Sequence, residues 1–462
     1  MSSVDGLVSG LDTTSIITSL LQVDAAPQTA LKKKVTTEQS EVTAYQGINT
    51  KMAALKTAAE ALQKSTAWTP TSATSSSTAV TATTSTSSVP GSLTFDVTSL
   101  ASARSIVSNA TYSSLTATSP TTGTPPSFPV DVVKGGKYVG TVSPTSGSLT
   151  DVVSAINSAK DLGITAVAIR TGPDEYRLQI ASSTTGSDGD FSLVPTQAGR
   201  AKGDPVSDGE VNGFTQLKAA TNATLDLGGG IFASSSTNTF SDLMPGVTLT
   251  ATAVASGVTV GVSKDANAIA SSVKAMVDAA NDALSAITTQ SKAGTVTATG
   301  SLTGGGVLAG DFAVRQLRDK ILSSFSTGVD GKSLSTAGIQ LNSDGTVKFD
   351  QDVFLKNLAT DPDGVKALVA PTSVFGSTGT GISERLQAVG KGATDSVSGS
   401  LTAMIAGRNS DIKDLTQRIS DWDTRLADKK ARYQKYYSAM EVALGKLQSQ
   451  SSSMQSQLAS LG

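Results

Sequence analysis

With no cysteine and no histidine among 462 residues, the side chains left for chemistry are mainly carboxylates, hydroxyls and amides. Disulfides, thiol catalysis, thiolate metal sites and the commonest general base are removed together. Two acidic turns could hold calcium, GSDGDF with Asp188 and Asp190, and the stretch carrying Asp344, Asp350 and Asp352. Neither has the spacing or the terminal Glu of a calcium loop, so solvated turns are expected. Asp131 and Asp174 could serve a glycosidase, but their spacing offers no support. The glycine triplets at 228–230 and 304–306 lack the Lys and Ser/Thr of a phosphate loop and read as connectors. Tyr433, Tyr436 and Tyr437 could stack bases, but their helical context makes them seam and flank. No catalytic residue, metal or cofactor is predicted, and no enzymatic role.

Charged residues make up 16% of the chain and cancel to a formal net charge of -2. This is not the basic footprint of a nucleic-acid binder. No stretch approaches the roughly 20 apolar residues of a membrane span. The opening MSSVDGLVSGLDTTSIITSLLQV lacks the basic region and small-residue cleavage site of a secretory signal. The expectation is a soluble protein, or one that reaches the outside by a route reading no cleaved signal.

The elements that must carry any function are helical at both ends and strand-like between. Ile16, Leu20 and Val23 predict one face of a short helix capped by Asp12, Thr13 or Thr14. Leu31, Val35, Val42, Tyr45, Ile48, Met52, Leu55, Ala59 and Leu62 predict a second helix over about 27–65, with Pro27 in its first turn. The Ser/Thr-rich run TPTSATSSSTAVTATTSTSSVPG is open between linker and strand, its alternation favouring strands over 79–83 and 93–97. Alternation also predicts strands over 130–133, 138–142, 164–169, 176–180, 225–227 and 247–254. One helix over 149–159 interrupts them, capped by Ser148. Further helices are expected from Ala266 through Ile287 and over 312–325, then a hairpin turning at Asp344 and Gly345.

The strongest pattern lies in the last eighty residues. Ile412, Leu415, Ile419, Trp422, Leu426 and Tyr433 recur at alternating spacings of three and four, a coiled-coil seam broken by Lys429. Asp414, Asp421 and Asp428 each precede an arginine by four residues, predicting ion pairs with Arg418, Arg425 and Arg432. After a stutter the stripe resumes through Tyr437, Met440, Leu444, Leu447, Met454, Leu458 and Leu461. A helix from about Leu401 would run roughly 90 Å and would need the N-terminal helix, another subunit, or both, to cover it.

Several segments resemble the flagellar filament cap (FliD, hook-associated protein) family: GLVSGLDTTSIITSLL at the start, FSDLMPGVTLTATA, GVLAGDFAVRQLRDKIL and LSTAGIQLNSDGTVKFDQDVFLKNLATDP within, and RYQKYYSAMEVALGKLQSQSSSMQSQLASLG at the end. The inserted β modules match only weakly. The resemblance implies an α+β multidomain fold in which terminal coiled-coil helices form a leg and antiparallel β-rich head modules are inserted between helical segments. It implies a leg at 1–42 and 433–462, helical parts at 43–72 and 266–432, a β module at 73–129 and 237–265, and an inserted α+β module at 130–236.

The implied role is a structural cap at the distal end of the filament, which retains exported flagellin and promotes its folding and polymerisation. Implied partners are flagellin and filament-end subunits, other copies of the chain in a homopentamer or homohexamer, with a tetramer also allowed, and a flagellar export chaperone before secretion. The implied location is the extracellular flagellum tip, reached through the flagellar type III apparatus. Leu7, Leu11, Ile16 and Leu20, with Tyr437, Met440, Leu444, Leu447, Met454 and Leu458, are the residues expected at filament or subunit contacts. For both sets, packing within the chain is the competing reading. A fibrous surface adhesin and a hook-filament junction protein are the alternative functions. An adhesin would need the secretory signal that is not visible, and a junction protein should carry different terminal signatures.

Overall fold

Apolar residues three and four apart bury a stripe against whatever lies opposite, and this chain supplies several such stripes. The computed structural model describes residues 10–298, 302–370 and 380–459. Its helices are Thr13–Asp24 (α1), Ala26–Leu62 (α2), Leu149–Ser158 (α3), Ala266–Ser291 (α4), Phe312–Ser326 (α5), Gln351–Thr360 (α6), Pro362–Val369 (α7), Ile382–Thr394 (α8) and Ser400–Ala459 (α9). The chain divides into two units, residues 1–68 with 266–462, and residues 69–265.

In the first unit the α2 stripe Tyr45, Ile48, Met52, Leu55, Ala59 and Leu62 shares one core with Val273, Met276, Val277 and Ile287 of α4, Ile321 of α5 and Leu386 of α8. Helices α4, α8 and α9 all pack on α2, so segments more than 200 residues apart in sequence lie side by side. A Cβ on Gly390 of α8 would come within 2.8 Å of Lys56 Cβ and 3.2 Å of the Met52 carbonyl, so a bare backbone is what lets α8 seat this closely. The expected hairpin forms from Ile339–Leu341 and Val347–Phe349, with Gly345 at φ +82°. Asp344 accepts from Thr346 N, while Asp350 caps α6 by accepting from Val353 N. These carboxylates serve local turns.

Tyr45 is buried, and its hydroxyl donates to Asp311, the N-cap of α5. Burial first, then the Asp311 carboxylate, push the phenol up from 10.0 to about 12. Because the folded value is raised, the stability this confers is complete below pH 10 and is lost as pH rises towards 12. Tyr45→Phe should therefore flatten the alkaline limb of the stability curve over that window, measured by urea unfolding at stepped pH.

In the second unit every strand pairing is antiparallel, and two cores form. One lies between a five-stranded sheet, in the order 71–75, 255–264, 91–99, 223–226, 232–235, and a three-stranded sheet of 239–244, 247–251 and 80–84. The Ser/Thr-rich run is thus strand, as its alternation favours. The other core lies under a four-stranded sheet, 214–218, 105–108, 175–182, 164–172, with a three-stranded sheet, 137–142, 130–134, 192–195, and α3. Ser148 caps α3 by accepting from Asp151 N, and Leu149, Val152 and Ile156 are buried.

Strand pairing shows where the chain passes from one core of this unit to the other. Strand 105–108 pairs with 175–182 and 214–218, whereas 223–226 pairs with 91–99. The chain passes between cores within 99–105 and again within 218–223. Strand 105–108, at four residues, is too short for alternation to show against a Ser/Thr background. The strand expected over 247–254 stops at Ala251, and a new one begins at Ala255.

Asp131 is fully buried and accepts from Arg200 Nη1 at 2.7 Å, Thr141 Oγ1 at 2.6 Å and Gln197 N at 3.3 Å. Asp174 sits in a turn at φ +53°. Asp190 pairs with Arg104 at 3.2 Å, and the 228–230 glycines turn one hairpin at φ +83°, +63° and +81°. Among the described residues no group of three or more His, Cys, Asp or Glu is placed to hold a metal.

Candidate functional site

Of the residues expected to meet other subunits, Ile16 and Leu20 lie on α1, and Tyr437, Met440, Leu444, Leu447, Met454 and Leu458 on the C-terminal part of α9. Asp12 starts α1 by accepting from Ser15 N, and only Ala25 separates α1 from α2, where Pro27 enters the first turn. Both helices lie along α9, which runs for 60 residues, about 90 Å. Along the seam Leu415 is buried, and Ile412, Ile419, Trp422, Leu426 and Tyr433 are half-buried.

Lys429 occupies the break in that seam and makes an ion pair with Asp24 at the end of α1, at 2.5 Å. Tyr433 donates to the same carboxylate at 3.3 Å. The Lys429 bond holds Asp24 below the usual carboxylate range, outweighing the burial that pushes it up. Gln28, only 5% exposed, donates from Nε2 to Asp423 Oδ1 at 2.5 Å and to the Ile419 carbonyl at 3.3 Å. Further along, Arg408 lies 3.0 Å from Glu38 and 2.8 Å from Glu41. These cross-helix polar contacts set the register of α1 and α2 on α9, and sequence reading did not find them. A lysine at a seam position was the available signal, since a charge facing a helix needs an acid opposite.

The heptad ion pairs expected within α9 are not formed: among the described residues Asp414–Arg418, Asp421–Arg425 and Asp428–Arg432 do not reach ion-pair distance. The Arg425 guanidinium instead lies 5.5 Å from the centre of the Trp422 ring, and Asp421 accepts from Gln417 Nε2 at 3.1 Å. Exposed pairs of this kind gain little over solvation, so a nearby ring face or amide competes successfully.

The face of α1 that packs on α9 is the neighbour of the one carrying Ile16, Leu20 and Val23. Thr13 and Ile17 are buried and Leu21 is half-buried, whereas Leu20 is 39% and Val23 76% exposed, with Ile16 between. The doublets Ile16-Ile17 and Leu20-Leu21 make two adjacent apolar stripes, of which only one can meet α9. Leu11, just before α1, is 46% exposed, and Leu7 lies outside the described residues. On α9, Tyr437, Met440 and Leu444 are half-buried, but Leu447, Met454 and Leu458 are 61%, 62% and 66% exposed. Leu461 lies outside the described residues. Helices α1 and α9 thus each carry an exposed apolar stripe.

Residues 9–104 match the model of the flagellar hook-associated protein 2 N-terminus, and residues 220–449 match that of its C-terminus. The chain belongs to the flagellar hook-associated protein 2 family. Neither match includes residues 105–219, and those limits coincide with the places where strand pairing passes from one core to the other. The two matched segments therefore flank the inserted core at two short crossings. The Escherichia coli (strain K12) flagellar hook-associated protein 2 is 28% identical over 465 residues, covering 97% of this chain and 96% of that protein. The A-type protein of Pseudomonas aeruginosa is 26% identical over 488 residues, covering 99% and 98%. The crystal structure of the flagellar cap protein FliD D1-D2-D3 domains from Escherichia coli superposes with a TM-score of 0.55 at 27% identity. It covers 79% of this chain and 99% of that one. This is the α+β multidomain arrangement of the family, and no described helix is long and apolar enough to cross a membrane.

Proposed function

We propose that this chain caps the distal end of the bacterial flagellar filament, as a non-enzymatic oligomer that holds exported flagellin at the tip while it folds and joins the filament. Family membership supports the role. The observation that carries the mechanism is the exposed apolar stripe Leu447, Met454 and Leu458 on a helix that packs against α2 along its earlier part. A stripe of this kind must be covered by another chain, and filament-end subunits are the partners the role provides.

In this reading residues 1–42 and 433–462 act as the leg, and the β-rich unit closes a plate of five or six copies, four being allowed. An export chaperone covers the same stripe before secretion. The chain leaves through the flagellar type III apparatus without a cleaved signal. The test is a strain lacking the gene, scored for filament length and for flagellin released into the medium. Hooks without filaments, with flagellin in the medium, are expected; filaments of normal length would overturn the role.

A further inference from the structure

The strand Ile164–Gly172 ends its sheet, pairing on one side with Glu175–Ser182 and on the other, among the described residues, with no strand. An outer strand turns alternate backbone N–H and C=O groups sideways, where another strand could take them up. Ala166 is one of these outward residues, and α3 reaches it. Asn157 Nδ2 donates to the Ala166 carbonyl at 2.9 Å, and Ala166 N donates to Asn157 Oδ1 at 2.9 Å. A carboxamide carries one donor and one acceptor side by side, as a strand residue does, so Asn157 fills a rung of the ladder.

The register is unbroken from Ile164 to Arg170, which makes Ile164, Ala168 and Arg170 the other outward residues. With the rung at Ala166 filled, an incoming segment could bridge only Ala168 and Arg170 in succession. The register shift between Arg170 and Gly172 and the arginine charge weaken even that end. Beside the edge, Val167 is 51% exposed, an apolar foothold for an alternating partner. The same arrangement recurs in the other unit, where Asn281 of α4 donates to the Val347 carbonyl at 2.7 Å and accepts from Val347 N at 2.8 Å.

We propose that Asn157 is an edge guard, whose amide keeps the Ile164–Gly172 strand from accepting an extended segment of another polypeptide with alternating apolar side chains. The test uses full-length protein, wild type and Asn157→Ala, with a fluorescent synthetic peptide of the neighbouring strand, EYRLQIAS, followed by anisotropy. Amide exchange at Ala166 is measured alongside. Wild type should not bind the peptide. Asn157→Ala should bind it, and its Ala166 amide should exchange roughly tenfold faster without peptide and be protected again with it. A peptide N-methylated at alternate residues should fail to bind. Asn157→Asp keeps an acceptor for Ala166 N but loses the donor to its carbonyl, so it should fall between the two. If circular dichroism shows Asn157→Ala unfolded, Asn157→Asp is read by the same measures. A folded variant that binds no peptide, or a wild type that binds as tightly as the variant, overturns the guard.

Discussion

Leu447→Asp and Leu458→Asp are expected to leave the isolated chain's melting temperature nearly unchanged while abolishing full-length filaments in a strain that has no other copy of the gene. The two leucines are 61% and 66% exposed, so the free chain has little burial to lose. In the docked state each would bury its side chain, and a charge there forfeits about 1.5–3 kcal/mol, roughly a ten- to hundredfold loss of affinity at each leg. Multiplied over several legs of one cap, that loss should detach it. Leu444→Asp should act in the same direction but also cost some stability, because Leu444 is already half-buried within the chain. Asp421→Ala is the control: it removes one exposed hydrogen bond from Gln417, worth within about 0.5 kcal/mol, and filaments should be normal. Secretion must be scored in the same cultures. Leucine variants secreted normally and still supporting full filaments would show that the leg is not the anchor. Retention in the cytoplasm would point to a lost export or chaperone contact on the same stripe.

Ile48→Ala should do the reverse, damaging the fold without touching any exposed stripe. Ile48 has no exposed surface and lies in the core shared by α2, α4, α5 and α8. Truncation leaves a cavity in a site braced on several sides, with an expected cost of about 2–4 kcal/mol by urea unfolding. Ile48→Val should cost about 0.5–1.5 kcal/mol. A loss below about 1 kcal/mol for the alanine variant would mean that α2 is not the spine of this unit. The two variant sets separate folding from docking, since one changes melting and the other changes only assembly.

Helices with a single strong apolar period were legible in the residues. The α4 stripe Ile269, Val273, Met276, Val277, Ala280, Leu284 and Ile287, the α3 cap at Ser148 and the hairpin around Asp344 and Gly345 all stand where periodicity and capping chemistry place them. Most strands were legible where alternation ran over several residues, as at 130–133, 138–142, 164–169 and 176–180. The short strands 105–108 and 192–195, and the edge strand 232–235, carry too few side chains for a period to emerge, and Ser and Thr blur the polar-apolar contrast.

By itself the sequence determined the helical ends, the β-rich middle, the absence of thiol and imidazole chemistry and the existence of an apolar stripe longer than one chain can cover. These follow from local period and composition, which a linear reading contains. Tertiary structure decided which of two adjacent stripes on α1 meets α9, because Ile16-Ile17 and Leu20-Leu21 offer equal apolar area on neighbouring faces. It decided that Lys429 belongs in the seam, because its charge is answered by Asp24, some 400 residues away in sequence. It also decided that the heptad acids and arginines leave one another unpaired, since at the surface a ring or an amide competes on nearly equal terms with an opposite charge. Where alternatives differ by less than about 1 kcal/mol locally, only the neighbours brought in by the fold can choose between them.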